Sequence, residues 1–322
     1  MLSYIIMIIV GFILLVVGAD FLIKGSSNIA KKFKIPEILI GLTIVALGTS
    51  APELIITITS ASQGATDLII GNAIGSNLCN ILLILGVMSI ITPIKIDKEV
   101  IKIHIPISLL ACIIILAMQL LPILTSSKLV LDRLDGIILL VLFLMYFSYP
   151  VITEIKDIIK SYKDNKNNKT EENINIFLSI LYIILGVVLL KYGGEFVVDN
   201  STNIAHILNL PERVIGLTIV AIGTAMPEFV TSIVAVIKKD TSIAVGNLVG
   251  SCVVNLLLIL GIGAIITPLN FSIEFNKNLI WLILSTIAIL ILNFIWEKNI
   301  LTRKKGLILI TMFAVYIIEL FI

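Results

Sequence analysis

GLTIVALGTSAPE at residues 41–53 returns almost unchanged as GLTIVAIGTAMPE at residues 216–228. Each copy places a glutamate, Glu53 or Glu228, inside an apolar segment long enough to cross a bilayer. A charged side chain at that depth costs at least about 2.5–3.5 kcal/mol, so two of them at equivalent points of a repeat indicate a function. The two glutamates are the first candidates for a cation site.

The composition predicts a membrane protein. Of the 322 residues, 58% are hydrophobic and only 14% are charged, whereas a soluble domain has about 25% charged residues. Apolar runs of about 18–25 residues recur along the chain, which is typical of spanning helices and not of a β-barrel. The first run lacks a basic leader and a cleavage pattern, so we expect it to be retained as a helix. We therefore predict an all-α membrane protein.

Charge and cysteine content argue against nucleic-acid binding and against sites built from cysteine. The net charge of +2 is too small to indicate nucleic-acid binding, and the lysines lie between apolar runs instead of forming one patch. The three cysteines have no CxxC spacing and lie in apolar segments, where cysteine behaves as a small hydrophobic residue. The sequence thus predicts no disulfide, no metal–thiolate site and no nucleic-acid partner.

We predict ten transmembrane helices, five on each side of one polar break. The break at residues 153–174 is charge-dense, and we interpret it as a cytoplasmic linker between a first five-helix repeat at 1–152 and a second at 175–322. The predicted helices cover residues 4–23, 37–61, 67–92, 100–121, 134–152, 175–197, 213–237, 241–267, 277–297 and 304–322.

The two halves are predicted to be inverted repeats. Residues 11–93 align with 186–268 at a constant offset of 175 without a gap, with about 38 of 83 positions identical. Because five spans is an odd number, the second half enters the membrane from the opposite side, as in alternating-access transporters. With both termini outside, the cytoplasmic loops hold about 18 of the Lys and Arg residues and the outer loops about 5, as the positive-inside rule requires.

The second span of each half is interrupted just before its glutamate. Pro52 and Pro227 lack an N–H and clash with the preceding turn, which releases a carbonyl near Ala46–Thr49 and Ala221–Thr224. A freed carbonyl at membrane depth needs another partner, either an ion or a neighbouring helix. Two such kinks beside two intramembrane glutamates favour the ion.

The third span of each half carries further polar side chains, in GNAIGSNLCN at 71–80 and GNLVGSCVVN at 246–255. Ser76 and Asn80 are four residues apart, as are Ser251 and Asn255, so each pair projects from one helix face. These side chains are either ion ligands or interhelical hydrogen bonders. We expect the motif glycines to permit close helix packing; they are Gly71, Gly75, Gly246 and Gly250.

The ligand types point to Ca2+ or Na+. The candidates are carboxylates, hydroxyls, amides and main-chain carbonyls, without thiolate or imidazole, and hard oxygen ligands of this flexible kind suit Ca2+ better than Mg2+. Two glutamates carry a charge of −2, which balances one Ca2+ or two Na+. The two ions can therefore compete for the same carboxylates.

With these motifs the chain resembles the calcium/cation antiporter superfamily, and most closely its archaeal and bacterial sodium/calcium exchangers. The resemblance implies that Glu53 and Glu228 bind Ca2+, joined by the carbonyls of Thr49 and Thr224. It also implies that the first and sixth helices slide past this core. The flanking sodium ligands and the residues lining the middle site would be Ala46, Ala221, Thr49, Ser50, Thr224, Ser76, Ser251, Asn80 and Asn255.

The sequence departs from the pattern of that superfamily at two positions. Residue 225 is Ala where Ser50 stands in the first copy, so one sodium site lacks a hydroxyl and a three-sodium stoichiometry is in question. Residue 255 is Asn, like Asn80, where potassium-dependent relatives carry an acidic residue. This argues against potassium dependence.

Other polar residues receive simpler interpretations. Asp20, Glu195 and Asp199 lie near predicted helix ends, and we expect them to be solvated caps. His104 and His206 have no partner at ligand spacing, and we expect them in loops or at helix ends.

We predict a non-enzymatic secondary antiporter that exchanges Ca2+ for Na+ across a prokaryotic cell membrane, without a cofactor. Its partners are the two ions and the lipid bilayer, and one chain suffices to build the site. The alternatives are an H+/Ca2+ antiporter of the same class and a cation channel. A channel would pass Ca2+ without a counter-gradient.

Overall fold

The structure, a computed structural model, describes residues 1–120, 129–164, 174–208, 221–295 and 297–321. The helices of the first half are α1 (Leu2–Phe33), α2 (Glu37–Thr49), α3 (Ala51–Ser62), α4 (Thr66–Ile91), α5 (Val100–Leu120) and α6 (Arg133–Asp164). Those of the second half are α7 (Ile176–Ile207), α8 (Ala221–Thr224), α9 (Met226–Ile237), α10 (Thr241–Ile266), α11 (Ile273–Phe294) and α12 (Arg303–Phe321).

The helical character of the predicted fold is confirmed. Within the described residues, six helices are long and apolar enough to cross a membrane, namely α1, α4, α5, α7, α10 and α11. Helices α2 and α3 form a seventh candidate, bent by 43° at their junction. The total of ten spans and the external position of both termini stay predictions.

The first helices of the two halves pack antiparallel through glycines. A Cβ on Gly11 would lie 2.9 Å from the carbonyl oxygen of Gly193, and one on Gly18 would lie 2.9 Å from that of Gly186. Only glycine allows backbones to approach so closely. Since Gly11 and Gly18 are the equivalents of Gly186 and Gly193, exchanging the halves reproduces the contact. This contact has the symmetry of an inverted repeat.

Short strands tie the loops together at each end of the bundle. Strand β1 (Ile94–Lys95) pairs antiparallel with β4 (Ile300–Leu301), and β2 (Val130–Leu131) pairs with β3 (Leu269–Asn270). At the constant offset of 175, β1 is the equivalent of β3. The two sheets are therefore related by the same exchange of halves as the helices.

Three helices extend about ten residues beyond the predicted spans: α1, α6 and α7, the last of which ends at Ile207. Helix α1 continues to Phe33 because its last turn carries Lys31 and Lys32, which interact favourably with the carbonyl end of a helix. It stops at Lys34, whose φ of 55° is left-handed. Helix α6 continues to Asp164, so the first part of the predicted linker is helical, while the rest of the linker to residue 173 lies outside the described residues.

Glycines in the second signature motif pack as predicted. A Cβ on Gly246 would lie 2.5 Å from the carbonyl oxygen of Ile38, and one on Gly250 would lie 2.6 Å from that of Leu42. Helix α10 therefore lies directly against the backbone of α2. The equivalent partners of Gly71 and Gly75 fall within 209–220, outside the described residues.

Candidate cation site

The bilayer-depth break in each half has the same backbone geometry. Helix α2 ends at Thr49 and α3 begins at Ala51, with Ser50 between them at φ −83° and ψ 6°. The equivalent residue in the second half is Ala225, at φ −84° and ψ 2°. A ψ near zero takes one residue out of the helix, which explains the bend between α2 and α3. The predicted interruption of this span is confirmed.

The Pro-Glu pair starts a new helix on the far side of each break. Proline is accepted in a first helical turn because the N–H it lacks has no helical partner there, and Pro52 and Pro227 occupy that turn of α3 and α9. A carboxylate in the first turn is favoured by the helix dipole. Glu53 and Glu228 stand in this position. The sequence therefore directs each carboxylate to the point where the helix is broken.

The two carboxyl groups are buried and lie close together. Glu53 is 0% exposed and Glu228 is 1% exposed, and they are near enough to interact electrostatically. Ser50 donates a hydrogen bond to Oε1 of Glu228 at 3.2 Å. Two buried carboxylates repel each other and lose their hydration, so they need a positive charge between them to remain ionised. A cation bound between them would supply that charge.

Hydroxyls of the first half contact the third span of the second half. Thr49 Oγ1 donates to Oδ1 of Asn247 at 2.9 Å and lies 3.4 Å from Ser251 Oγ. The hydroxyls of Ser50 and Ser251 are 3.2 Å apart. All four residues are buried. The broken span of one half and the signature helix of the other thus form one polar centre.

The centre lies on the axis that relates the two halves. Asn77 donates from Nδ2 to the carbonyl oxygen of Cys252 at 3.0 Å, and residues 77 and 252 are equivalent by the offset of 175. Two equivalent residues touch each other only at the symmetry axis. Asn255 donates to Oδ1 of Asn77 at 3.0 Å, which links this axial contact to the candidate site.

Asn80 and Asn255 lie in π-helical turns. The turns cover Cys79–Ile84 in α4 and Val254–Ile259 in α10. A π turn inserts one extra residue and is frequent at functional sites. The residue pattern did not predict these turns, and from its turn Asn255 reaches Asn77 on the axis.

Several oxygen atoms in the centre lack a hydrogen-bond donor among the described residues. They are both carboxyl oxygens of Glu53, Oε2 of Glu228, Oγ of Ser76 and Oδ1 of Asn255. Buried polar atoms are normally paired, so a cluster of bare oxygens requires an explanation such as a bound ion. No group of three or more His, Cys, Asp and Glu occurs in the described ranges. The oxygens instead suit a hard cation.

The remaining predicted residues flank this centre. Ala46 and Ser76 are buried, and Thr224 is 9% exposed at the end of α8. Ala221 begins α8. The Ala46 carbonyl accepts bonds from the Ser50 N–H at 3.0 Å and from Thr49 Oγ1 at 3.3 Å. The expectation of a released carbonyl therefore does not hold for Ala46, because the helix stays bonded up to the residue before its break.

The sequence reasoning missed Asn247 and Asn77. Asn247 accepts from Thr49 and donates from Nδ2 to Ser232 Oγ at 3.1 Å, so it fixes the orientation of the residue just before the break. Both asparagines lie within or beside the quoted motifs. The repeated Gly-Asn pair at 71–72 and 246–247 is the sequence signal that could have identified Asn247.

Comparison with known proteins places these motifs in a family. The model of the family described as "Sodium/calcium exchanger protein" matches residues 3–151 and 178–321. The inner membrane protein YrbG of Escherichia coli (strain K12) is 33% identical over 269 residues, which is 81% of this chain and 79% of YrbG. The sodium/calcium exchanger MaX1 of Methanosarcina acetivorans is 29% identical over 98% of this chain and 97% of its own length.

A solved structure has the same fold. The sodium-calcium exchanger NCX_Mj, soaked with 2.5 mM Na+ and 10 mM Sr2+, matches with a TM-score of 0.81 at 29% identity, covering 98% of both chains. The family match covers both broken spans and both signature helices, so it includes the buried glutamates. With helices fit to cross a membrane and this match over most of its length, the chain belongs to the sodium/calcium exchanger family, whose members are membrane transporters and not enzymes.

Proposed function

We propose that this protein exchanges Ca2+ for Na+ across the cell membrane by alternating access. The observation that carries the proposal is the pair Glu53 and Glu228, one from each half, buried beside the axis with three of their four carboxyl oxygens lacking a hydrogen-bond donor. Their combined charge of −2 is neutralised by one Ca2+ or by two Na+. Binding of one ion type therefore excludes the other, which is the requirement for coupled exchange.

The proposed ligands follow from this centre. Glu53 and Glu228 provide the carboxylates of the Ca2+ site, with the carbonyls of Thr49 and Thr224. The side sites for Na+ use hydroxyls and carbonyls around the breaks, and the amides line the middle. The full proposed set is Glu53, Glu228, Thr49, Thr224, Ser50, Ala46, Ala221, Ser76, Ser251, Asn80 and Asn255.

We also propose ten spans with both termini outside. The β1–β4 sheet then lies at the cytoplasmic end and the β2–β3 sheet at the outer end. Near β4, Lys305 Nζ donates to the carbonyls of Glu297 and Ile300, each at 2.6 Å. Near β2, the carboxylate of Asp135 accepts from the Asp132 N–H at 3.0 Å. A buried lysine at one end and an aspartate at the other agree with a positive cytoplasmic face.

An H+/Ca2+ antiporter is the second candidate. It is favoured by Ala225, which leaves Glu53 without the hydroxyl donor that Ser50 gives to Glu228. The missing hydroxyl also removes one oxygen ligand from a proposed sodium site, which weakens the case for Na+ coupling relative to H+ coupling. The distinction is whether protons or Na+ drive Ca2+ movement.

Ca2+ uptake by proteoliposomes separates the candidates. Vesicles containing the purified protein are loaded with Na+ or with acidic buffer, and each outward gradient is imposed separately. The proposal expects uptake with the Na+ gradient and none with the H+ gradient alone. The reverse result would assign proton coupling, and uptake driven by the Ca2+ gradient alone would assign a channel.

A further inference from the structure

Equivalent helices of the two halves are packed differently. Helix α1 packs along α9, whereas its equivalent, α7, makes only a slight contact with α3. As a result Val230 on α9 is 8% exposed, while the equivalent residue on α3, Ile55, is 45% exposed. An inverted-repeat transporter in which one half is closed and the other open has this asymmetry. The closed end is the one where α1 meets α9.

An ion pair joins α1 to the end of α9. Asp20 of α1 contacts Lys238, the residue that caps α9. The two side chains are 45% and 35% exposed, respectively. The expectation that Asp20 is a solvated helix cap is wrong, because α1 extends well beyond it. The pair bridges two elements that separate if this end opens.

Other charges surround Lys238. Asp240 lies in the turn after α9, where burial raises its pKa while the nearby Lys31 and Lys238 oppose that rise. Lys31 belongs to α1 and also interacts electrostatically with Glu37 at the start of α2, as does Asp240. Lys238 therefore lies between carboxylates of α1 and of the turn, and α1 contributes charges of both signs to this end.

The equivalent position at the opposite end has no such pair. The equivalent of Asp20 is Glu195, and that of Lys238 is the neutral Gln63. Glu195 lies 3.7 Å from Lys191 of its own helix, and Gln63 is exposed at the end of α3. In the opposite access state, α7 would pack along α3 as α1 now packs along α9. Glu195 would then approach Gln63, but the two side chains could not form an ion pair. Among the described residues, which exclude 209–220, these equivalent positions therefore form an interhelical ion pair at one end and not at the other.

We propose that Asp20 and Lys238 form a lock that holds the cytoplasmic end closed and biases the transporter towards its outward-facing state. The lock rests on the proposed function, because it presupposes two access states. A partly exposed ion pair is worth up to about 1 kcal/mol, which changes a two-state equilibrium about two- to fivefold. The ion pair changes the fraction of molecules whose site faces the cytoplasm and does not change the ligands of the site.

Sided Ca2+ affinity tests the lock. Inside-out vesicles give the cytoplasmic Ca2+ concentration for half-maximal exchange, which falls as the inward-facing fraction rises. Asp20→Asn and Lys238→Gln should each lower it about two- to fivefold. The double variant should match either single variant, and the charge exchange Asp20→Lys with Lys238→Asp should restore the original value.

The two single variants distinguish a lock from a surface-charge effect. Removing Asp20 takes a negative charge from the cytoplasmic face, and removing Lys238 takes a positive one, so a local effect on Ca2+ would shift the two affinities in opposite directions. Opposite shifts, or no shift in either variant, would overturn the proposal. If exchange itself is absent from the unmodified protein, the proposed function fails instead.

A substitution at the other end provides an independent check. Gln63→Lys should create an ion pair with Glu195 when the outer end is closed, and so stabilise the inward-facing state. It should therefore also lower the cytoplasmic Ca2+ concentration for half-maximal exchange. The matched variant Gln63→Met changes the same side chain without adding charge and should have no such effect. Equal behaviour of the two variants would contradict the charge-based lock.

Discussion

The Ser50 hydroxyl donates to Oε1 of Glu228 at 3.2 Å, and so joins the broken span of one half to the carboxylate of the other. The equivalent pair is Ala225 and Glu53, where alanine has no hydroxyl to donate and both carboxyl oxygens lack a partner. The two carboxylates therefore differ in environment although their helices are repeats. This difference is the basis of the first prediction.

Ala225→Ser should strengthen Na+ binding. The new hydroxyl restores the oxygen ligand that the first half has, whereas the two glutamates continue to dominate Ca2+ binding. The Na+ concentration for half-maximal exchange should fall, with little change in Ca2+ affinity measured without Na+. A strong change in Ca2+ affinity with unaltered Na+ dependence would remove residue 225 from the sodium site. Ala225→Gly is the control, since it changes the side chain without adding an oxygen.

Glu53→Gln and Glu228→Gln should each abolish Ca2+ exchange. Each removes half of the negative charge facing the ion and keeps the shape of the side chain. Both proteins should still purify as folded monodisperse species, because relieving the repulsion between buried carboxylates does not destabilise the fold. Glu274→Gln alters an exposed carboxylate at the start of α11 and should exchange normally. Wild-type rates in either site variant would refute the assignment.

Asn247→Ala should weaken Na+ dependence and stability together. It removes the hydrogen bonds that Asn247 makes with Thr49 and Ser232, at a cost of about 1–3 kcal/mol, and leaves Thr49 with only its longer contacts to Ala46 and Ser251. Asn293 is equally buried but donates to the Ile289 carbonyl of its own helix at 2.9 Å. Asn293→Ala should therefore lower thermal stability without altering the Na+ concentration for half-maximal exchange. If the two variants had the same ion dependence, Asn247 would have only a structural role.

Gly18→Leu should block exchange. A side chain at this position would meet the backbone of α7, since even a Cβ lies 2.9 Å from the Gly186 carbonyl oxygen. The helices would have to separate, and the proposed sliding of α1 and α7 would be lost. Val17 is 39% exposed on the same helix, so Val17→Leu is the matched control and should transport normally. Transport by both variants at equal rates would argue against movement along this contact.

The proposed orientation is tested by labelling from each side. Cysteines at Lys98 and Gln63, both exposed, should react with a membrane-impermeant maleimide from the cytoplasmic and the outer side, respectively. The natural cysteines are buried and contribute little background. Labelling from the opposite sides would invert the topology, although the repeat relationship would stand.

Much of the fold could be predicted because the repeat is explicit in the sequence. The Pro-Glu pairs identified both helix breaks and both buried carboxylates, and the inverted relation followed from the odd number of predicted spans. The packing of Gly246 and Gly250 followed from their spacing. These features are local, so residue type and position were sufficient.

The features that could not be predicted depend on contacts between distant segments. Asn77 lies on the symmetry axis and Asn247 meets a residue 198 positions away. His104 lies near the start of α5, as expected for a helix-end residue, but it is 1% exposed with Nδ1 3.0 Å from the Tyr146 hydroxyl, a contact that the sequence did not predict. His206 does lie in the last turn of α7. No periodicity within one helix reveals which side chains another helix brings to it.

Equilibrium binding of radioactive Ca2+ to the purified protein tests the central claim most directly, since the claim is that one pair of carboxylates serves both ions. We expect one Ca2+ per chain, displaced completely by Na+ with a dependence steeper than for a single sodium ion, and no binding to Glu53→Gln or Glu228→Gln. Ca2+ binding that persists at saturating Na+, or that survives loss of either glutamate, would contradict it.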